Sequence, residues 1–169
     1  QEKAAVGYLL ENFPTYRRQL DPSKLAEWLK DRVGWGEVDV LCQSSFTPDD
    51  LLNQWPAWQR TLDTLAASSN INQRRASLVL LVKALQQSDD QRLLAQALLT
   101  LPKLVAERHI LITKAVSWVL RAMIKHHREV VVAYLSDHAK RLPAIAIREA
   151  RAKLATGRKV KSQGFGAYP

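Results

Sequence analysis

Three short segments of this 169-residue chain bring together side chains that could act on one ligand. In Gly34-Trp35-Gly36-Glu37-Val38-Asp39, Trp35 and Asp39 stand four residues apart, so a helix here would place them one above the other on the same face. An aromatic ring and a carboxylate in that arrangement suit a reaction in which positive charge develops. The ring face attracts a cation, and the carboxylate stabilises it or orients a water. The competing reading puts Trp35 in the core and Asp39 at the surface or at a cap. Gly34 and Gly36 weaken a helix, though they could let another backbone approach closely.

The second segment, 110–125, is amphipathic at 100° per residue. Ile112, Val116, Val119, Leu120 and Met123 form an apolar stripe, while Lys114, Trp118, Arg121 and Lys125 fall together on another face. Trp118 therefore sits among three cations, as an aromatic does on surfaces that contact a base or sugar while neighbouring cations hold phosphates. The alternative is a Trp packed on the next helix with Lys and Arg stems extending to water around it. The third segment, Arg74-Arg75-Ala76-Ser77-Leu78, opens the most apolar stretch of the chain. Arg75 and Lys83 are about 80° apart on that wheel and could rim one groove; pairing of Arg75 with Asp39 is the structural alternative.

The elements that must position these residues read as helices. Period-two alternation and Asn-Gly or Asp-Gly hairpin signals are missing. Asp21-Pro22, Thr47-Pro48-Asp49-Asp50, Ser88-Asp89-Asp90-Gln91 and Pro143 carry helix-start chemistry. The pattern predicts helices over 3–11, 22–31, 34–44, 48–67, 71–87, 89–100, 109–126, 128–138 and 143–155. Short helices on short connections suggest antiparallel pairs stacked into an all-α, HEAT-like repeat solenoid, with a simple helix bundle as the other possibility. The run 76–82 is apolar almost all round, as an inner helix of such an array would be. We expect one domain over 1–156 and a basic, flexible tail over 157–169.

Charge narrows the partner. Residues 1–107 hold 12 Lys and Arg against 13 Asp and Glu, whereas residues 108–169 hold 13 against 3. Such asymmetry points to a polyanion, or more plainly to a solubilising basic surface. The single Cys42 excludes an internal disulfide, and His109, His126, His127 and His138 show no zinc-ligand spacing, so neither metal nor cofactor is expected. No apolar run is long enough for a membrane span and no signal peptide is visible; a soluble, cytoplasmic protein without membrane contact is expected.

From about residue 20 to residue 155, the segments Trp35-Gly36-Glu37-Val38-Asp39, Arg74-Arg75-Ala76-Ser77-Leu78 and Lys114-Ala115-Val116-Ser117-Trp118-Val119-Leu120-Arg121 resemble, in order, the DNA alkylation repair glycosylases. Those proteins are solenoids of HEAT-like helical pairs. The resemblance implies that Asp39 is the catalytic carboxylate, that Trp35 and Trp118 wall the lesion, and that Arg75 and Arg121 contact the DNA backbone. Lys83, Lys114 and Lys125 would add phosphate contacts. The implied reaction is hydrolysis of the N-glycosidic bond of an N3- or N7-alkylated purine in duplex DNA, by a monomer associated with the nucleoid. Gly36 stands where the family often has an acid, and the family's first helices are expected to be absent before Gln1. Both features fit a rival reading, a non-catalytic helical-repeat module that binds nucleic acid or an acidic protein.

Overall fold

The computed structural model describes residue 6, residues 9–32 and residues 34–158. Among these every regular element is helical. In chain order they are α1 (Pro14–Gln19), α2 (Lys24–Lys30), α3 (Gly34–Asp39), a π-helical turn (Val40–Ser44), α4 (Pro48–Asn53), α5 (Trp55–Ala66), α6 (Ile71–Gln87), α7 (Gln91–Leu104), α8 (Ile110–Met123), α9 (Arg128–Asp137) and α10 (Ala144–Thr156). The expected helix over 3–11 and the tail over 157–169 lie largely outside the described residues.

Local chemistry sets most boundaries. Thr47 caps α4 through a capping box: its Oγ1 accepts from Asp50 N at 3.3 Å, and its own N donates to Asp50 Oδ2 at 2.8 Å. Asn70 caps α6, its Oδ1 accepting from Asn72 N and Gln73 N. Gly157 ends α10 at φ 69°, a left-handed conformation that costs glycine no Cβ clash. Three expectations need correction. The single helix over 48–67 is two, broken at Gln54, because Pro56 lies in the first turn of a new helix rather than inside an old one. The cap of α7 is Asp90, which accepts from Arg92 N at 2.9 Å, and not Ser88. That helix also runs on to Leu104, with Pro102 in its last turn.

The array is an all-α helical repeat. The connections 67–70, 88–90 and 105–109 turn the chain back each time, so α5, α6, α7 and α8 alternate in direction. The second helices of successive pairs, α6, α8 and α10, pack on one another most extensively. They run parallel. At the first end of α6, Arg75 donates to Leu111 O at the start of α8; at its other end, Lys125 Nζ reaches Gln86 O at 2.9 Å. One layer further, Lys153 Nζ of α10 donates to Arg121 O of α8 at 2.9 Å.

The core follows from this stacking. In α6 every residue from Leu78 to Val82 is buried, because neighbours cover both of its sides. Its apolar character all round is thus what its position demands. At about 1.5–3 kcal/mol per fully buried aliphatic side chain, this helix contributes the largest share of the hydrophobic stabilisation.

Candidate active site and nucleic-acid face

The short helix α3 begins at Gly34, whose φ of 76° favours glycine. A Cβ at Gly34 or Gly36 would meet nothing within 4 Å, so neither glycine admits a close backbone approach, contrary to that expectation. Asp39 closes α3, and the next residues form the π-helical turn, a wide turn that is rare and recurs at functional sites. The Gln43 side chain ties this turn to α6 by donating to Val79 O.

At that junction Asp39 meets Arg75 of α6. Arg75 Nε donates to Oδ1 at 2.9 Å and Nη2 to Oδ2 at 2.7 Å, a planar fork on a carboxylate. The third guanidinium nitrogen, Nη1, is bound by Leu111 O. Arg75 is 4% exposed, whereas the Asp39 side chain retains 16% of its surface. The guanidinium is therefore enclosed with each of its three nitrogens bonded, and the carboxylate is held in one orientation with one side still open to water. Arg75, expected at the DNA backbone, is here the partner of Asp39.

Trp35, one helical turn before Asp39, is 62% exposed and so lies outside the core. Beside it Arg32 is buried, donating to Trp28 O at 3.0 Å and lying 4.0 Å from Glu37. Cys42 is buried next to the Asp39 carboxylate, and burial first, that charge second, push its thiol far above the usual range. It stays protonated and offers no nucleophile.

The cationic face of α8 is formed as its periodicity predicts. Ile112, Val116, Val119, Leu120 and Met123 are fully buried, Lys114 and Lys125 are exposed, and Trp118 is half-buried against the core. Lys114 and the half-buried Lys83 have no ion-pair or hydrogen-bond partner among the described residues. Arg121 is different. Its Nε lies 3.3 Å from Glu149 Oε2 and 3.3 Å from Ser117 Oγ, and Ser117 Oγ in turn donates to the same carboxylate oxygen. Burial lowers the Arg121 guanidinium below its usual value, opposed by the Glu149 charge. Sequence reasoning missed Glu149, although it is the one acid after Asp137 in a strongly basic stretch.

Among the described residues no cluster of three or more His, Cys, Asp or Glu could hold a metal ion, and no helix is long and apolar enough to cross a membrane. No curated protein matches the chain. The family model described as DNA alkylation repair enzyme matches residues 2–154, a span that includes α3, α6 and α8 with Trp35, Asp39, Arg75 and Trp118. The chain therefore belongs to the DNA alkylation repair enzyme family.

Proposed function

We propose that this chain is a DNA glycosylase that hydrolyses the N-glycosidic bond of N3- or N7-alkylated purines in duplex DNA. The observation that carries the reading is the Asp39 carboxylate, fixed by a buried arginine yet open on one side, four residues from an exposed tryptophan. Alkylation makes the purine a cation, so it departs neutral and needs no general acid. One carboxylate suffices where ordinary glycosidases use two. Asp39 stabilises the developing oxocarbenium charge and positions the attacking water. Arg75 holds that carboxylate in one orientation and is a positioning residue. Trp35 and Trp118 lie against the cationic nucleotide, Lys83, Lys114 and Lys125 neutralise phosphates, and Arg121, its charge balanced by Glu149, donates a hydrogen bond to the DNA backbone. The partner is duplex DNA bearing alkylated bases, and the protein acts as a monomer.

A second reading has its own observation. Both Asp39 oxygens accept from Arg75, as in a purely structural ion pair, which suits a module that binds DNA without cutting it. Release of alkylated purine from methylated duplex separates the two. The glycosylase reading expects release by the parent and a loss of roughly two or more orders of magnitude in Asp39→Asn, assayed where both are folded. Trp35→Ala should slow release with little change in stability, since its ring is exposed. No release by the parent leaves the binding module.

A further inference from the structure

Away from Asp39, the parallel helices α6, α8 and α10 end on the same side of the array beside an open hollow of about 560 Å³. Gln86, Lys125, Arg128, Lys153 and Gly157 are among its lining residues, which include three cations and no acid. Each cation is tethered by a backbone carbonyl of a neighbouring helix end. Lys125 Nζ donates to Gln86 O at 2.9 Å, Arg128 Nη2 to Leu154 O at 2.8 Å, and Lys153 Nζ to Arg121 O at 2.9 Å. These carbonyls are neutral. They fix the cations in place while each ammonium keeps two further N–H donors, and among the described residues no carboxylate lies within ion-pair distance of the three charges. The helix ends contribute about half a negative charge each, which offsets only part of the excess.

We propose that this hollow is a seat for a DNA backbone phosphate remote from the reacting nucleotide. Arg75 and Gln86 lie eleven residues apart on α6, about 16 Å at 1.5 Å per residue, so no single phosphate meets both the seat and the Asp39 carboxylate. Laid along the duplex axis, at about 3.4 Å of rise per nucleotide, that separation exceeds the reach of three nucleotides. Lys153 is lowered from its usual value by burial and by the nearby Arg121 charge, a balance that an arriving anion reverses. The inference rests on DNA being the partner and not on base excision.

The test uses the full chain and unmodified duplex, with affinity measured as a function of salt. Arg128→Gln/Lys153→Gln, at two cations that the proposed reaction does not use, keeps an N–H donor for each carbonyl and removes both charges. It should fold as the parent does, checked by thermal unfolding, and should lower the slope of log affinity against log salt by about 0.9, the loss of one phosphate. Lys103→Gln, which removes a cation paired with Asp63 at 2.8 Å, is the control and should leave the slope unchanged. Methylphosphonate substitution at single positions of a lesion-bearing duplex locates the phosphate. The parent should be weakened, and the double variant left indifferent, at a position three or more nucleotides from the lesion. An unchanged slope in the double variant, or sensitivity only at the lesion's own phosphates, overturns the seat. Inorganic phosphate forms a separate arm: if it raises the melting temperature of the parent alone while the slopes agree, the hollow takes free phosphate and the DNA assignment fails. Loss of slope without excision would leave the seat standing and remove the glycosylase reading; excision with unchanged slope would do the reverse.

Discussion

Replacing Asp39 by Asn is the natural probe of a catalytic carboxylate, and its bonds to Arg75 imply that the substitution should also lower stability. Asn retains one acceptor oxygen, but its amide nitrogen would face an Arg75 N–H, so one of the two charge-assisted bonds at 2.9 and 2.7 Å is lost. Such a bond contributes about 1.5–3 kcal/mol. The guanidinium, 5% exposed, would also be left without a counter-charge, and breaking a buried pair from one side costs about 3–5 kcal/mol. Because water reaches one side of Asp39 and Leu111 O still holds Nη1, the lower end applies, about 3 kcal/mol. For a chain of this size that lowers the melting temperature by about 6–12 °C. Circular dichroism melts of the parent, Asp39→Asn, Arg75→Met and the double variant measure it as a cycle, with an expected coupling of about 2–3 kcal/mol. A melting temperature for Asp39→Asn within about 1 °C of the parent, together with coupling below about 0.5 kcal/mol, would refute the pair and remove Arg75 as a positioning residue.

Three further outcomes follow from other parts of the molecule. Glu149→Ala should lower stability by about 1.5–3 kcal/mol and weaken duplex binding despite removing a negative charge, because Arg121 loses the acceptor that orients it; Glu149→Gln should recover much of both, and tighter binding by the Ala variant would contradict this. Tyr134 carries a buried hydroxyl without a hydrogen-bond partner among the described residues, and burial raises its pKa to about 12, so Tyr134→Phe should leave the melting temperature unchanged or raise it. A loss above about 1 kcal/mol would reveal a partner for that hydroxyl. His127 is buried with Nε2 unpartnered among the described residues, and burial first, then His126, lowers its pKa below 6.5. The unfolded chain therefore binds the extra proton before the folded one does, so stability is full above 6.5 and falls as pH drops below it; His127→Gln should flatten melting curves compared between pH 7 and pH 5.

What could be read from the residues alone was governed by local physics. Helix α6 is expected at 71–87 and found there, because Asn70 caps it and an unbroken apolar run fills it. The π-helical turn after Asp39 left no trace in the pattern, since its five residues are too few to establish a period of their own. Proline misled twice, at Pro56 and Pro102, where position within the first or last turn decides whether it breaks a helix. That Trp35 and Asp39 share one short helix follows from their spacing of four, and both fall in α3. Glu149 and Ser117 were not legible as a pair, because they meet only across two stacked helices. No sequence repeat shows for a related reason: links between layers recur at similar separations but use different partners. Arg75 reaches an aspartate, Arg74 a glutamate at 2.7 Å, and Asn72 a carbonyl at 2.7 Å.

Those links join each layer to the next one along, which makes the molecule nearly one-dimensional in its cooperativity. Asp39 belongs to one layer and the arginine that holds it to the following one, so the two part company whenever that single joint opens, while α6, α8 and α10 remain stacked. The carboxylate's orientation is then as stable as one joint rather than as the whole protein, and amide exchange at the α3–α6 boundary would report its integrity more directly than global unfolding does.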